Sequence, residues 1–198
     1  MSSGMRFGIA FDGFVPVRDA VVIAQRAEAV GGTSFWIAEH LGYREAFVTA
    51  TAIALGTAIG RVVPTAISPY LRHPVPMAMA LASLAELAPS RVDVAAGIGN
   101  PMFLRESGLE PEKPLEAMRD YVEALRALAT GDPVQKEGRT FRLAGARVSF
   151  KPDTSIPIHI AAMGPQMLRL TGRIADGVVL SAGLSAESVR RALALVEE

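Results

Sequence analysis

With 198 residues, half of them hydrophobic, the chain is long enough to bury one sizeable core and too apolar to be disordered. Twenty Lys and Arg balance twenty Asp and Glu, which leaves no electrostatic footprint for nucleic acid or an acidic membrane surface, and the lack of cysteine excludes disulfides, zinc–thiolate sites and thiol nucleophiles. No uncharged apolar run reaches the ~20 residues of a spanning helix, and the N-terminal MSSGMRFGIAFDG has no secretory apolar core, so a cytoplasmic location is expected.

Residues 5–11 (MRFGIAF) form a compact apolar run, a first strand. After Pro16, the positions Ala20, Ile23, Ala24, Ala27 and Val30 recur at helical spacing, and Gly31-Gly32 ends the helix. Residues 34–38 (SFWIA) predict a second strand, which ends on Glu39-His40, and residues 46–59 are helical. Residues 62–76 (VVPTAISPYLRHPVP) begin as a strand that stops at Ser68-Pro69-Tyr70, since proline cannot donate to a ladder. They pass into a helix running to about residue 88, with Pro74 and Pro76 in its first turn. Residues 91–97 (RVDVAAG) give a fourth strand and 98–113 a long loop rich in Gly and Pro. Residues 114–130 predict a helix with Leu115, Met118, Val122, Leu125 and Leu128 on its apolar side. Residues 133–150 alternate, with Gly138 and Gly145 at turn positions, and predict a hairpin-like excursion. A strand over 156–162, a helix over 165–175, a strand over 177–181 entered through Asp176-Gly177, and a helix from 186 follow.

Six strand–helix units with short apolar strands predict a parallel α/β sheet covered by helices, in one domain over residues 1–198. A doubly wound sheet accepts six; a (β/α) barrel closes with eight over about 250 residues, so a barrel would lack two. No charged residue lies between Glu45 and Arg61 or between Arg72 and Glu86. Helices 46–59 and 74–85 thus have no evident water-facing side, and a homodimer packed through them is expected.

Three strand ends could carry chemistry. Glu39-His40 sits where parallel α/β folds hold catalytic groups; the histidine suits proton transfer and the carboxylate could orient it, although a loop pair bonding Arg44 or backbone fits the same residues. In Gly97-Ile98-Gly99-Asn100-Pro101 the third glycine of a dinucleotide fingerprint is replaced by Met102, so dinucleotide binding of that type is not expected. The two glycines still allow close approach by a flat ring, or serve a tight turn. Ala161-Ala162-Met163-Gly164-Pro165 opens a helix and reads as a phosphate seat or as an ordinary turn. His159, inside a strand, reads as a satisfied core residue and His73 as a helix cap; no His, Asp or Glu cluster has metal spacing.

SFWIAEH (34–40), SPYLRHP (68–74), AAGIGN (95–100), IAAMGPQML (160–168) and IADGVVL (174–180) together resemble the luciferase-like superfamily of flavin and deazaflavin oxidoreductases. The branch most resembled is methylenetetrahydromethanopterin reductase-like and uses coenzyme F420. The resemblance covers essentially the whole chain and implies a (β/α)8 TIM-type barrel with a mobile insertion, usually dimeric, here incomplete at six units and apparently truncated at its C-terminus. It implies hydride transfer between F420, or alternatively FMN, and a small organic substrate. His40 with Glu39 would be catalytic. Thr65, Ala66, Ile67 and Ser68 would support the ring, with a non-prolyl cis peptide at Thr65–Ala66. Gly97, Ile98, Gly99, Asn100, Ala162, Met163, Gly164 and Pro165 would contact ring and phosphate-bearing tail. Two departures remove proton donors: Ala10, where related methanopterin reductases carry glutamate, and Asn100, where some relatives have an acid. A non-catalytic cofactor-binding or structural remnant, completed by a partner subunit, is therefore the alternative.

Overall fold

The computed structural model of the protein describes residues 6–150 and 155–198. β1 (Phe7–Phe11) leads into α1 (Val17–Ala29), β2 (Gly32–Ala38) into α2 (Ala46–Gly56), and β3 (Arg61–Thr65) into α3 (Pro74–Leu87). β4 (Val94–Gly97) leads into a short helix α4 (Pro101–Glu106) and then α5 (Pro114–Leu128). A hairpin of β5 (Val134–Glu137) and β6 (Arg142–Ala146) precedes β7 (Ile158–Ala161), α6 (Pro165–Ile174), β8 (Gly177–Val179) and α7 (Ala186–Glu197).

The expected loop over 98–113 is thus interrupted by α4. Asn100 accepts from the Met102 amide at 2.9 Å and Pro101 occupies the first turn, so an Asn-Pro start signal was present in the sequence. The helix expected over 46–59 ends at Gly56, because the Glu28 carboxylate takes the amides of Ala58, Ile59 and Gly60 and holds them in a turn. His73 caps α3 by accepting from Val75.

β1, β2 and β3 pair in parallel, as do β4, β7 and β8. The two groups join where β3 and its continuation meet β4, through bridges at Val62–Val92 and Ile67–Ala96. Ile67 donates to Ala95 at 2.9 Å and accepts from Gly97 at 3.0 Å. The result is one parallel run in the order β1-β2-β3-β4-β7-β8 with β1 and β8 at its edges. The order never reverses, so the sheet has no switch point of the doubly wound kind; it is the wall of a (β/α) barrel, six strands of it.

Alternation sorts each strand into two faces. Phe35, Ile37, Val62, Val94, Ile158 and Ile160 are buried against the helices, which contribute Ala24, Ile53, Met77, Leu81, Met118 and Leu125. Each such large side chain contributes about 1.5–3 kcal/mol on burial. The inner face is small or polar. A Cβ on Gly8 would strike Ser34 Oγ at 2.3 Å, and Trp36 donates to that same oxygen at 3.0 Å. Here Arg61 Nε donates to Asp93 at 2.7 Å, its second nitrogen pairs with the other Asp93 oxygen, and His159 Nε2 lies 3.4 Å from Asp93. His159 is accordingly a partnered strand residue, half-buried on the inner face beside Trp36. Outside the sheet, the β5–β6 hairpin leans on α5 through Lys136–Glu123 at 2.7 Å and the Arg139 amide on Asp120 at 2.8 Å. Val48 and Leu55 on α2 and Met79 and Leu87 on α3 remain exposed. No helix among the described residues is long and apolar enough to cross a membrane.

Burial pushes the Asp93 carboxyl up, but the hydrogen bonds from Arg61 and His159 outweigh it and hold the group below its usual range. Its contribution to stability is therefore present above the unfolded carboxylate pKa of about 3.9 and is lost as pH falls through the lower native value. Asp93→Asn should cost roughly 1–3 kcal/mol at pH 7 and flatten the acid limb of a denaturation-versus-pH curve. An unchanged midpoint and acid limb would show that the network contributes nothing.

Candidate functional site

Four neighbouring strands deliver their C-terminal ends to one rim. Glu39 and His40 follow β2, Thr65 to Ser68 close β3, Gly97 to Asn100 close β4, and Ala162 to Pro165 follow β7. Glu39, His40, Ala66, Ser68, Gly99 and Asn100 line a small pocket together with Leu71, Phe103 and Leu104. Thr65, Ile67, Gly97 and Ile98 form the adjoining strand ends and turn. Ala162, Met163, Gly164 and Pro165 lie along the same rim and do not line this pocket.

The floor is made by backbone. The Thr65–Ala66 peptide is cis, and Thr65 accepts from the Glu39 amide at 2.5 Å. Ala66 then lies directly over β4: a Cβ on Gly97 would come within 2.6 Å of the Ala66 methyl and 3.3 Å of that of Ala161, so this contact requires glycine. Gly99, at φ +94°, occupies a conformation that favours glycine. Ser68 is buried; its hydroxyl donates to Ile98 at 2.8 Å and accepts from the Tyr70 amide at 3.3 Å, tying the β3 and β4 loops together. Gly164 begins α6 with no side-chain cap, so the first amides of that helix stay available, and a Cβ there would meet nothing within 4 Å.

His40 Nδ1 lies 2.9 Å from the Asp12 carbonyl oxygen. A carbonyl only accepts, so Nδ1 carries the proton and Nε2 is the nitrogen left to act as a base. Phe14, Tyr43 and Phe103 surround the ring at centroid distances of 5.9–6.5 Å. Glu39 was expected to orient His40 and does not: its carboxylate turns to Arg72 at 3.1 Å, and Asp12 does the orienting. Arg44, the other expected partner of this pair, instead donates to the carbonyls of Gly13 and Phe14. Burial raises the Glu39 carboxyl above its usual range, and Arg72 offsets this only in part. Arg72 had a sequence signal, being the one charged residue between Arg61 and Glu86. Phe14, Tyr43 and Phe103 had none that separates them from ordinary loop aromatics.

The family model for luciferase-like monooxygenases matches residues 5–198. The chain belongs to the luciferase-like monooxygenase family. It is 34% identical over 178 residues to a 5,10-methylenetetrahydromethanopterin reductase of Archaeoglobus fulgidus, covering 90% of this chain and 53% of that protein. It is 32% identical over 184 residues to an F420-dependent glucose-6-phosphate dehydrogenase of Nocardia farcinica, covering 86% and 55%. It superimposes on the coenzyme F420-dependent tetrahydromethanopterin reductase of Methanopyrus kandleri with a TM-score of 0.90 at 25% identity, covering 97% of this chain and 60% of that one. The chain thus spans about half the length of the curated relatives it matches.

A larger cavity of about 410 Å³ lies away from the luciferase-like rim, between α3 and α5, and is lined chiefly by Leu81, Leu125, Val148 and Ile156. Among the described lining residues Arg126 is the one titratable group, and it is engaged with Ile174 and Asp176. Among the described residues the cavity's other polar lining is Thr130 and Ser155, with no carboxylate or histidine.

The rim depends on the Ser68 hydroxyl. Ser68→Ala leaves the Ile98 carbonyl without that donor and should lower unfolding stability by about 1–2 kcal/mol. Urea denaturation measures this, and an unaltered midpoint would show that the two loops hold together without it.

Proposed function

We propose that the protein is an oxidoreductase that binds coenzyme F420 at the C-terminal rim and exchanges hydride with a small organic substrate, in the manner of methylenetetrahydromethanopterin reductase. The supporting observation is that Ala66, resting on Gly97, and Gly99 present only a methyl and bare backbone to the pocket that His40 lines, with Gly164 farther along the same rim. Such a patch admits a flat ring against backbone, and the uncapped α6 amides suit the phosphate-bearing tail. The residues present therefore fit the cofactor named for the Nocardia and Methanopyrus relatives.

When bound, the cofactor supplies the hydride chemistry. The protein's residues do the rest. Thr65 to Ser68 back the ring, Gly97 to Asn100 flank it, and Ala162 to Pro165 hold the tail. His40, fixed by Asp12, presents Nε2 for proton transfer or ring orientation. The exposed apolar faces of α2 and α3 would pack against a second copy of the chain, with Val48, Leu55, Met79 and Leu87 at the contact.

Titration of the protein with F420 should quench the cofactor's fluorescence saturably, with FMN binding more weakly. His40→Ala should lower turnover by at least ~100-fold with an unchanged melting temperature. Unchanged turnover removes His40 from the mechanism, retention of F420 without turnover favours the non-catalytic reading, and binding of neither cofactor overturns the proposal. Light scattering at micromolar concentration should report a dimer; a stable monomer would refute the α2–α3 contact.

A further inference from the structure

A charge cluster beneath the pocket is not explained by cofactor binding. The Glu39 side chain is only 11% exposed; one oxygen accepts from Arg72 at 3.1 Å and the other is buried with no protein partner. The same nitrogen of Arg72 donates to Glu45 at 2.5 Å, and its guanidinium lies 4.6 Å over the Phe47 ring. Glu45 is fixed independently, since its second oxygen caps α2 by accepting from Val48 at 2.6 Å. Tyr121 of α5 faces the cluster fully buried, its hydroxyl unpartnered and within the field of Arg72 and Glu39. His40, the next residue along, points its Nδ1 away to Asp12.

Arg72 reaches both carboxylates through the same terminal nitrogen and bonds only one oxygen of Glu39. Arg72 sits closer to Glu45, which is half in solvent and anchored by the helix start, and Glu39 is left with part of a partner in a dry site. An ionised carboxylate with an orphaned oxygen is more costly there than the neutral acid. Among the described residues that line the pocket, Glu39 is the only carboxylic acid. We propose that Glu39 carries the site's exchangeable proton and that Arg72, divided between Glu39 and Glu45, is the positioning residue that sets when it is released.

What receives the proton rests on the oxidoreductase reading above. As hydride and its electron pair reach the substrate, the Glu39 carboxyl gives its proton to the negative charge that develops. The carboxylate so formed draws Arg72 from Glu45, which stays hydrated, and solvent restores the proton. Desolvation lifts the Glu39 carboxyl, the Glu45 charge adds to the rise, and Arg72 opposes it. The Tyr121 phenol, held far above its usual range by burial, stays neutral throughout and does not compete.

The test is carboxyl-carbon NMR of the protein labelled at glutamate Cδ, which needs neither cofactor nor turnover. The resonance missing from Glu39→Gln should titrate above the usual glutamate value of about 4.3. Arg72→Gln should raise its midpoint and Glu45→Gln should lower it, each by roughly half a unit or more, while Arg72→Lys restores the wild-type value. Gln at position 45 keeps the capping oxygen, so the fold is retained. Opposite shifts establish the division of Arg72; an ordinary midpoint, or shifts of the same sign, overturns it. If F420 fails to bind while these shifts appear, the oxidoreductase reading falls and the Glu39–Arg72 assignment stands.

Discussion

The molecule depends on the joint at which the end of β3 crosses onto β4. There the Ile67 amide and carbonyl reach Ala95 and Gly97, and Ala66 rests on a glycine that has no side chain to hold it off. These bonds turn two three-stranded groups into one barrel wall. They also aim the ends of β2, β3, β4 and β7 at a common rim. The proposed cofactor seat and sheet continuity thus share one feature, because the backbone that would support a flat ring is the backbone that closes the seam.

The inner face adds a second constraint. A polar network of Arg61, Asp93 and His159 spans β3, β4 and β7 low in the barrel, while at the rim Arg72 is divided between Glu39 and Glu45. Both are partly buried ion clusters, yet they differ in what they leave unsatisfied. Asp93 receives donors on both oxygens and is held ionised. Glu39 has one oxygen orphaned and is held toward the neutral acid. The first arrangement locks strands together, and the second underlies the proton role proposed for Glu39.

Much of this was readable from the chain. Short apolar strands ending in Pro, Gly or Glu-His announced parallel units whose ends share one rim, and the family resemblance placed the cis bond at Thr65–Ala66, where it is found. Other features were not readable, for identifiable reasons. α4 was passed over because Gly and Pro outweighed the Asn100 cap beside them. The link from Glu39 to His40 was inferred from adjacency, but Arg72, 33 residues away, took the Glu39 carboxylate while the Asp12 carbonyl took His40. Phe14, Tyr43 and Phe103 converge on His40 only through the loops that carry them.

The central claim is that this rim, and no other surface, holds the cofactor. An amide-detected NMR titration with F420 tests it most directly. The account predicts shifts confined to residues 38–41, 65–69, 97–101 and 162–166. Shifts concentrated in the cavity between α3 and α5, or spread evenly over the helices with the four strand ends silent, would contradict it.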